Sequence, residues 1–114
     1  MPYVQLTTSA SLDKQTEKTL NRELGQAIAL FPGKTERWLM ISLQGGAEMC
    51  FAGDADTPCA MLTVELFGTP DSTACGRFAE KATEVLHRVL GLSPDRVYVK
   101  FGGVSEWAWN GVMF

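Results

Sequence analysis

Cys59-Ala60-Met61-Leu62-Thr63-Val64-Glu65-Leu66-Phe67, followed by Gly68-Thr69-Pro70-Asp71, is the stretch on which the fold turns. Its apolar and β-branched residues read as a strand, and the Gly, Pro and Asp after them supply a turn and a helix N-cap. Beyond the turn, Phe78, Ala82, Val85, Leu86 and Val89 recur at i, i+4, i+7, i+8 and i+11, which is one stripe of an α-helix. Gly91 ends that helix, Ser93-Pro94-Asp95-Arg96 makes a turn, and Val97 to Phe101 reads as a second strand. Strand, helix and strand make one β-α-β unit.

The same grammar appears earlier in the chain. Tyr3 to Thr8 has strand composition, Ser9 to Ser11 supply turn and capping chemistry, and a helical pattern begins at about Asp13. Leu20, Leu24, Ala27, Ile28 and Phe31 form its stripe, each lying 58 residues before its counterpart in the second helix. Pro32 and Gly33 stop the helix. Trp38 to Leu43 reads as an apolar strand closed by Gly45-Gly46, and a loop with a short strand near Met49 to Phe51 leads to Pro58. Arg37 precedes Arg96 by 59 residues, so the repeat extends to the entry of each second strand.

Two fused β-α-β units predict an α+β fold: a four-stranded mixed sheet, the strands of each unit parallel, with both helices on one face. The other face then lacks a cover. Trp38-Leu39-Met40-Ile41 and Ala60-Met61-Leu62 are apolar at consecutive positions, a pattern of strands buried on both faces. Copies of the chain are the simplest cover, so a closed homo-oligomer is expected. Trp107, Trp109, Val112, Met113 and Phe114, after Gly102-Gly103, read as an apolar tail that packs on a neighbour or a pocket.

With 114 residues, 46% of them hydrophobic, the chain is expected to form one compact domain over 1–114. A net charge of -3, with Lys and Arg scattered among acids, opposes binding to nucleic acid or an anionic membrane. No apolar run approaches the ~20 residues of a membrane span, and no basic flank precedes an apolar stretch at the start. The expected location is therefore cytoplasmic. Cys50, Cys59 and Cys75 form no C-x-x-C pair and are expected to be reduced, partly buried thiols. His87, the only histidine, lies beside an apolar helix face, so no Ser-His-Asp triad or multi-His metal site can be assembled and a structural role is expected. Asp54 and Asp56, between Gly53 and Pro58, read as loop-solvating residues.

Pro2 is the candidate for chemistry. Removal of Met1 would leave a secondary amine at the start of a buried strand, and apolar surroundings disfavour the charged form of an amine. Such a nitrogen is a general base without His or Glu, whereas a retained Met1 makes it a non-basic amide. Proton removal next to a carbonyl puts charge on oxygen, so the base needs a cation or N–H donor nearby and low dielectric between them. Lys34 and the Trp and Phe tail are residues of those kinds. By itself Lys34 also fits a cation complementing the C-terminus of the first helix.

The N-terminal Met1-Pro2, the duplicated units, Gly33-Lys34, Ser93-Pro94-Asp95-Arg96-Val97-Tyr98 and Trp109-Asn110-Gly111 leading to Phe114 together resemble the macrophage migration inhibitory factor family of tautomerases. The likeness runs across the whole chain. It implies a homotrimer with three pockets at subunit interfaces, each opening around an N-terminal proline. It also implies cofactor-free keto-enol tautomerisation of phenylpyruvate-like α-keto acids, with dopachrome-type substrates as a related class. Pro2 would be the general base, Lys34 would hold the substrate's carboxylate or enolate oxygen, and the backbone N–H of Phe67 would add an anchor. Tyr98 and Lys100 would come from the adjacent subunit, and Tyr3, Trp107, Trp109 and Phe114 would form apolar walls. Tyr98 equally fits an ordinary strand aromatic at an oligomer interface.

Two positions depart from the family pattern. Lys100 stands where Asn is usual, which adds a positive charge near the pocket, and Leu62 stands where a second Cys would pair with Cys59, so no C-x-x-C redox activity is expected. The cytokine members of the family suggest a second function class, a ligand exported without a signal sequence that binds a protein receptor. No cofactor or metal is expected in either case.

Overall fold

A computed structural model describes residues 1–114. Strand β1 (Pro2–Thr8) is followed by helix α1 (Lys14–Ala27), strand β2 (Met40–Gln44) and strand β3 (Ala60–Phe67). Helix α2 (Ser72–Leu90) and strand β4 (Val97–Val104) complete the second unit, and a small hairpin, β5 (Ala108–Trp109) and β6 (Val112–Met113), ends the chain. The sheet order is β2-β1-β3-β4, with β1 parallel to β2, antiparallel to β3, and β3 parallel to β4. This is the mixed sheet expected from two fused units.

Strand alternation sets the layers. Val4 and Leu6 of β1 stand opposite Ile41 and Leu43 of β2 and opposite Val64 and Leu62 of β3. Together with Ala60 and Leu66 they face the helices, and both helical stripes close over them: Leu20, Leu24, Ala27, Ile28 and Phe31 from one, Phe78, Ala82, Val85 and Leu86 from the other. Phe78 sits between Phe31 and Phe101, with ring centroids 5.4 and 6.1 Å away. Such interdigitated apolar layers are the dominant source of stability.

The helix ends follow from single side chains. Asp13 caps α1 by accepting from Thr16 N at 2.8 Å, and Asp71 caps α2 by accepting from Ala74 N at 2.8 Å. The Ser9 to Ser11 segment does not cap α1, because Ser9 Oγ accepts from Cys59 N and so ties the end of β1 to the start of β3. Gly91, at φ 71°, takes the left-handed position that ends α2. His87 Nδ1 lies 2.8 Å from the Leu92 carbonyl oxygen, a structural contact at that same helix end.

Two strand expectations are corrected. Trp38 is not in a strand: Glu36–Trp38 forms a 3₁₀ turn, and β2 begins at Met40. Trp38 instead turns its indole edge-on to Trp109, at 5.0 Å between centroids, a contact a flat strand would not allow. The sheet face away from the helices lacks a cover within one chain, as expected, with Met40 67% exposed beside half-buried Ile41. Finally, Met49 to Phe51 forms no strand. Phe51 exchanges backbone hydrogen bonds with Asp54 across a tight turn whose centre, Ala52 and Gly53, has positive φ. Among the thiols, Cys59 is buried and Cys75 half-buried, whereas Cys50 is exposed on this loop rather than partly buried.

Arg96 holds that loop in place. Its guanidinium donates to the carbonyls of Pro58, Phe51, Asp54 and Thr57 at 2.9 to 3.3 Å and lies over the Phe51 ring. Asp54 in turn accepts from the backbone N–H groups of Asp56 and Thr57, and these hydrogen bonds draw its carboxyl down to about 2. No helix of the structure is long and apolar enough to cross a membrane.

Candidate active site

Pro2 opens β1 and is buried, paired across β3 with Leu66. Next to it lies a cavity of about 530 Å³ whose walls include Pro2, Tyr3, Arg37, Trp38, Trp107 and Trp109. The elements that build it are the starts of β1 and β2, the turn before β2, the end of β4 and the terminal hairpin. Asn110 and Gly111, both at positive φ (53° and 76°), make the hairpin turn, and pairing of Trp109 with Val112 holds the Trp109 indole against Trp38.

Lys34 reaches the same corner from the turn after α1, where Gly33 at φ 75° reverses the chain. Lys34 Nζ donates to the Phe67 carbonyl oxygen at 3.4 Å. The N–H of Phe67 donates to the Met1 carbonyl oxygen at 3.0 Å, so the donor expected to anchor substrate is occupied in the chain that retains Met1. Burial lowers the proton affinity of the terminal amine at Met1, and the positive charge of Lys34 and a hydrogen bond from it lower it further. Phe114 packs edge-on against the Phe67 ring at 5.1 Å, and its N–H donates to the Trp107 carbonyl oxygen, which folds the chain end back onto the site.

Pro2, Tyr3, Trp107 and Trp109 line one cavity, Lys34 adjoins the terminal amine and with Phe67 lines a neighbouring hollow, and Phe114 packs on Phe67. Tyr98 and Lys100 are not among them. Lys100 pairs with Thr63 and Tyr98 with Met61, three and five residues along β3 from Leu66, the partner of Pro2. At ~3.3 Å per residue they lie about 10 and 17 Å along the sheet from Pro2. Tyr98 is 61% exposed on the open sheet face, where it meets Phe51 edge-on at 5.1 Å.

Arg37, Trp38 and Glu65 line the cavity without having been expected there. Trp38 was hidden by its apolar neighbours, which read as a strand. Arg37 stood out in the sequence only as the repeat partner of Arg96. A further hollow of about 430 Å³ lies between α1 and α2, but Lys81 and Glu84 on its rim pair with each other at 3.5 Å and none of the candidate site residues lines it.

The family model described as macrophage migration inhibitory factor matches residues 1–114. A macrophage migration inhibitory factor homolog from Brugia malayi is 28% identical over 116 residues, spanning 100% of this chain and 99% of that protein. The D-dopachrome decarboxylase of Gallus gallus is 29% identical over 108 residues, 94% of this chain and 90% of that protein. Among solved structures, Leishmania major MIF2 superposes with a TM-score of 0.93 at 25% identity, covering 100% of this chain and 97% of that one. The homologue from Prochlorococcus marinus gives 0.87 at 27% identity, with 98% of each chain covered. With its fused β-α-β units, its buried Pro2 and a family match over its full length, this chain belongs to the macrophage migration inhibitory factor family.

Proposed function

We propose that the chain, once Met1 is removed, is a cofactor-free keto-enol tautomerase of phenylpyruvate-like 2-oxo acids in which the Pro2 nitrogen is the general base. One observation carries the reading: Pro2 is buried in an aromatic-walled cavity, at the chain end where burial and Lys34 depress the proton affinity of an amine. Removing Met1 also removes the carbonyl that occupies the Phe67 N–H. The same cut therefore creates the base and frees a donor beside it.

In the proposed reaction, the uncharged Pro2 nitrogen takes the proton from the carbon next to the ketone. The C–H electron pair becomes the C=C bond and the carbonyl π pair moves onto oxygen. Lys34 and the Phe67 N–H meet the resulting negative charge, and the prolinium returns its proton to that oxygen to give the enol; ketonisation is the reverse. Tyr3, Trp107, Trp109 and Phe114 exclude water and keep the dielectric low. The similarity to a D-dopachrome decarboxylase supports trying dopachrome-type substrates as well.

The assembly we propose is a homotrimer of single-domain protomers, in which Tyr98 and Lys100 of one protomer complete the pocket of the next. Their distance from Pro2 within a protomer and the exposure of Met40 and Tyr98 on an uncovered sheet face favour it. The test is the rate of phenylpyruvate tautomerisation by processed protein and by Pro2→Gly. A fall of about 10²-fold or more is expected for losing a general base, and an unchanged rate would remove Pro2 from the mechanism.

A further inference from the structure

The two arginines related by the internal repeat have different fates. Arg96 and Arg37 each sit in a 3₁₀ turn that leads into the second strand of a β-α-β unit. Arg96, its side chain 12% exposed, is consumed by the carbonyls of Phe51, Asp54, Thr57 and Pro58. Arg37 makes no hydrogen bond or ion pair within the chain; its one contact of this kind is with the Trp38 ring, 5.0 Å from the centroid. A cation over an aromatic face is held in position while its N–H donors stay free.

That free guanidinium borders the cavity of Pro2. Lys34 and Arg37 leave the same connector between α1 and β2, and the Glu36 between them lays its carboxylate against Gly25 of α1 rather than against either cation. Glu65 is the one acidic side chain on the cavity wall, and it forms no ion pair with Arg37. The site therefore has one cation beside the terminal amine and a second, planar one on the Trp38 wall. A guanidinium suits bidentate capture of a carboxylate.

We infer that Arg37 is a second anion-binding group of this cavity, which lets the site bind 2-oxo acids carrying a second carboxylate. The inference rests on the tautomerase reading for its 2-oxo substrates, but the binding of a diacid tests Arg37 separately.

Fumarate and crotonate share a planar four-carbon skeleton and differ in the second carboxylate, and neither can enolise. Their dissociation constants are measured by calorimetry on processed wild type, Arg37→Gln, Arg37→Lys and Pro2→Gly. Arg37→Gln should weaken fumarate about tenfold while changing crotonate less than about twofold, with Arg37→Lys between wild type and Arg37→Gln. Glu65→Gln should tighten fumarate. In turnover, Arg37→Gln should raise KM for oxaloacetate enol about tenfold and lower kcat/KM for it by a larger factor than for phenylpyruvate. Fumarate that fails to bind wild type, or that binds wild type and Arg37→Gln alike, overturns the inference, as does equal loss of both acids. Selective loss of fumarate in Arg37→Gln, with a wild type that turns over neither 2-oxo acid, would support Arg37 while removing the tautomerase reading.

Discussion

The backbone N–H of Phe67 donates to the carbonyl oxygen of Met1 at 3.0 Å. Because the antiparallel pairing of Pro2 with Leu66 continues one residue outward, Met1 extends the ladder over the place where substrate oxygen would bind. Retention of Met1, or addition of any residue before Pro2, should lower the tautomerase rate by about 10²-fold or more, since the base becomes an amide and the donor stays occupied. Intact mass and turnover measured on the same preparations check this.

In the proposed mechanism Lys34 acts on both partners of the proton transfer. Its charge lowers the proton affinity of the terminal amine and its Nζ lies beside the Phe67 carbonyl. The Met1 amine's pKa is lowered from 8.0 in the folded chain; for a Pro2 nitrogen bared in the same surroundings, the neutral, active form is expected to accumulate as pH rises through a value below that of an ordinary amine. The ascending limb of kcat/KM should therefore lie below that of an ordinary amine. Lys34→Gln should move the limb to higher pH and lower kcat/KM about 10- to 100-fold through loss of the oxygen-binding cation.

The Arg96 clamp supplies a prediction about stability. Arg96→Ala leaves the carbonyls of Phe51, Asp54, Thr57 and Pro58 without their donor and should cost ~1–3 kcal/mol, read from urea denaturation. Phe51 would lose the cation over its ring, and its edge-on contact with Tyr98 would loosen. If Tyr98 serves a neighbouring pocket, KM should rise more than kcat falls.

Asp54 gives the same loop an acid dependence. Its carboxyl is drawn from 3.8 down to about 2 by hydrogen bonds from Thr57 and Asp56. A depressed carboxyl contributes stability that is fully present above the unfolded value and is lost as pH falls through the folded one. Asp54→Asn should accordingly flatten the decline in stability between about pH 4 and pH 2, measured by thermal unfolding across that range.

The repeat was legible because core packing writes itself as periodicity. Leu20 to Phe31 and Phe78 to Leu86 face the sheet as their spacing requires, whereas the alternating burial along β3 was masked by its consecutive apolar residues. The turn at Glu36–Trp38 was not legible, because Trp38 and Leu39 are as apolar as the strand they precede. What separates them is tertiary: Trp38 is drawn to Trp109, a residue 71 positions away. The hairpin did carry a local signal, Asn110-Gly111 between apolar residues, which favours a two-residue turn with positive φ at both positions. Arg37 left no mark beyond its place as the repeat partner of Arg96, because its position on the cavity wall follows from the fold.

Titration of the Pro2 nitrogen by ¹⁵N NMR in the processed protein bears most directly on the mechanism. The account expects a single protonation step with a midpoint below the ~8 of a free α-amino group, coinciding with the ascending limb of kcat/KM and rising in Lys34→Gln. A midpoint at or above the ordinary value, unmoved by Lys34→Gln and unrelated to the rate profile, would contradict it.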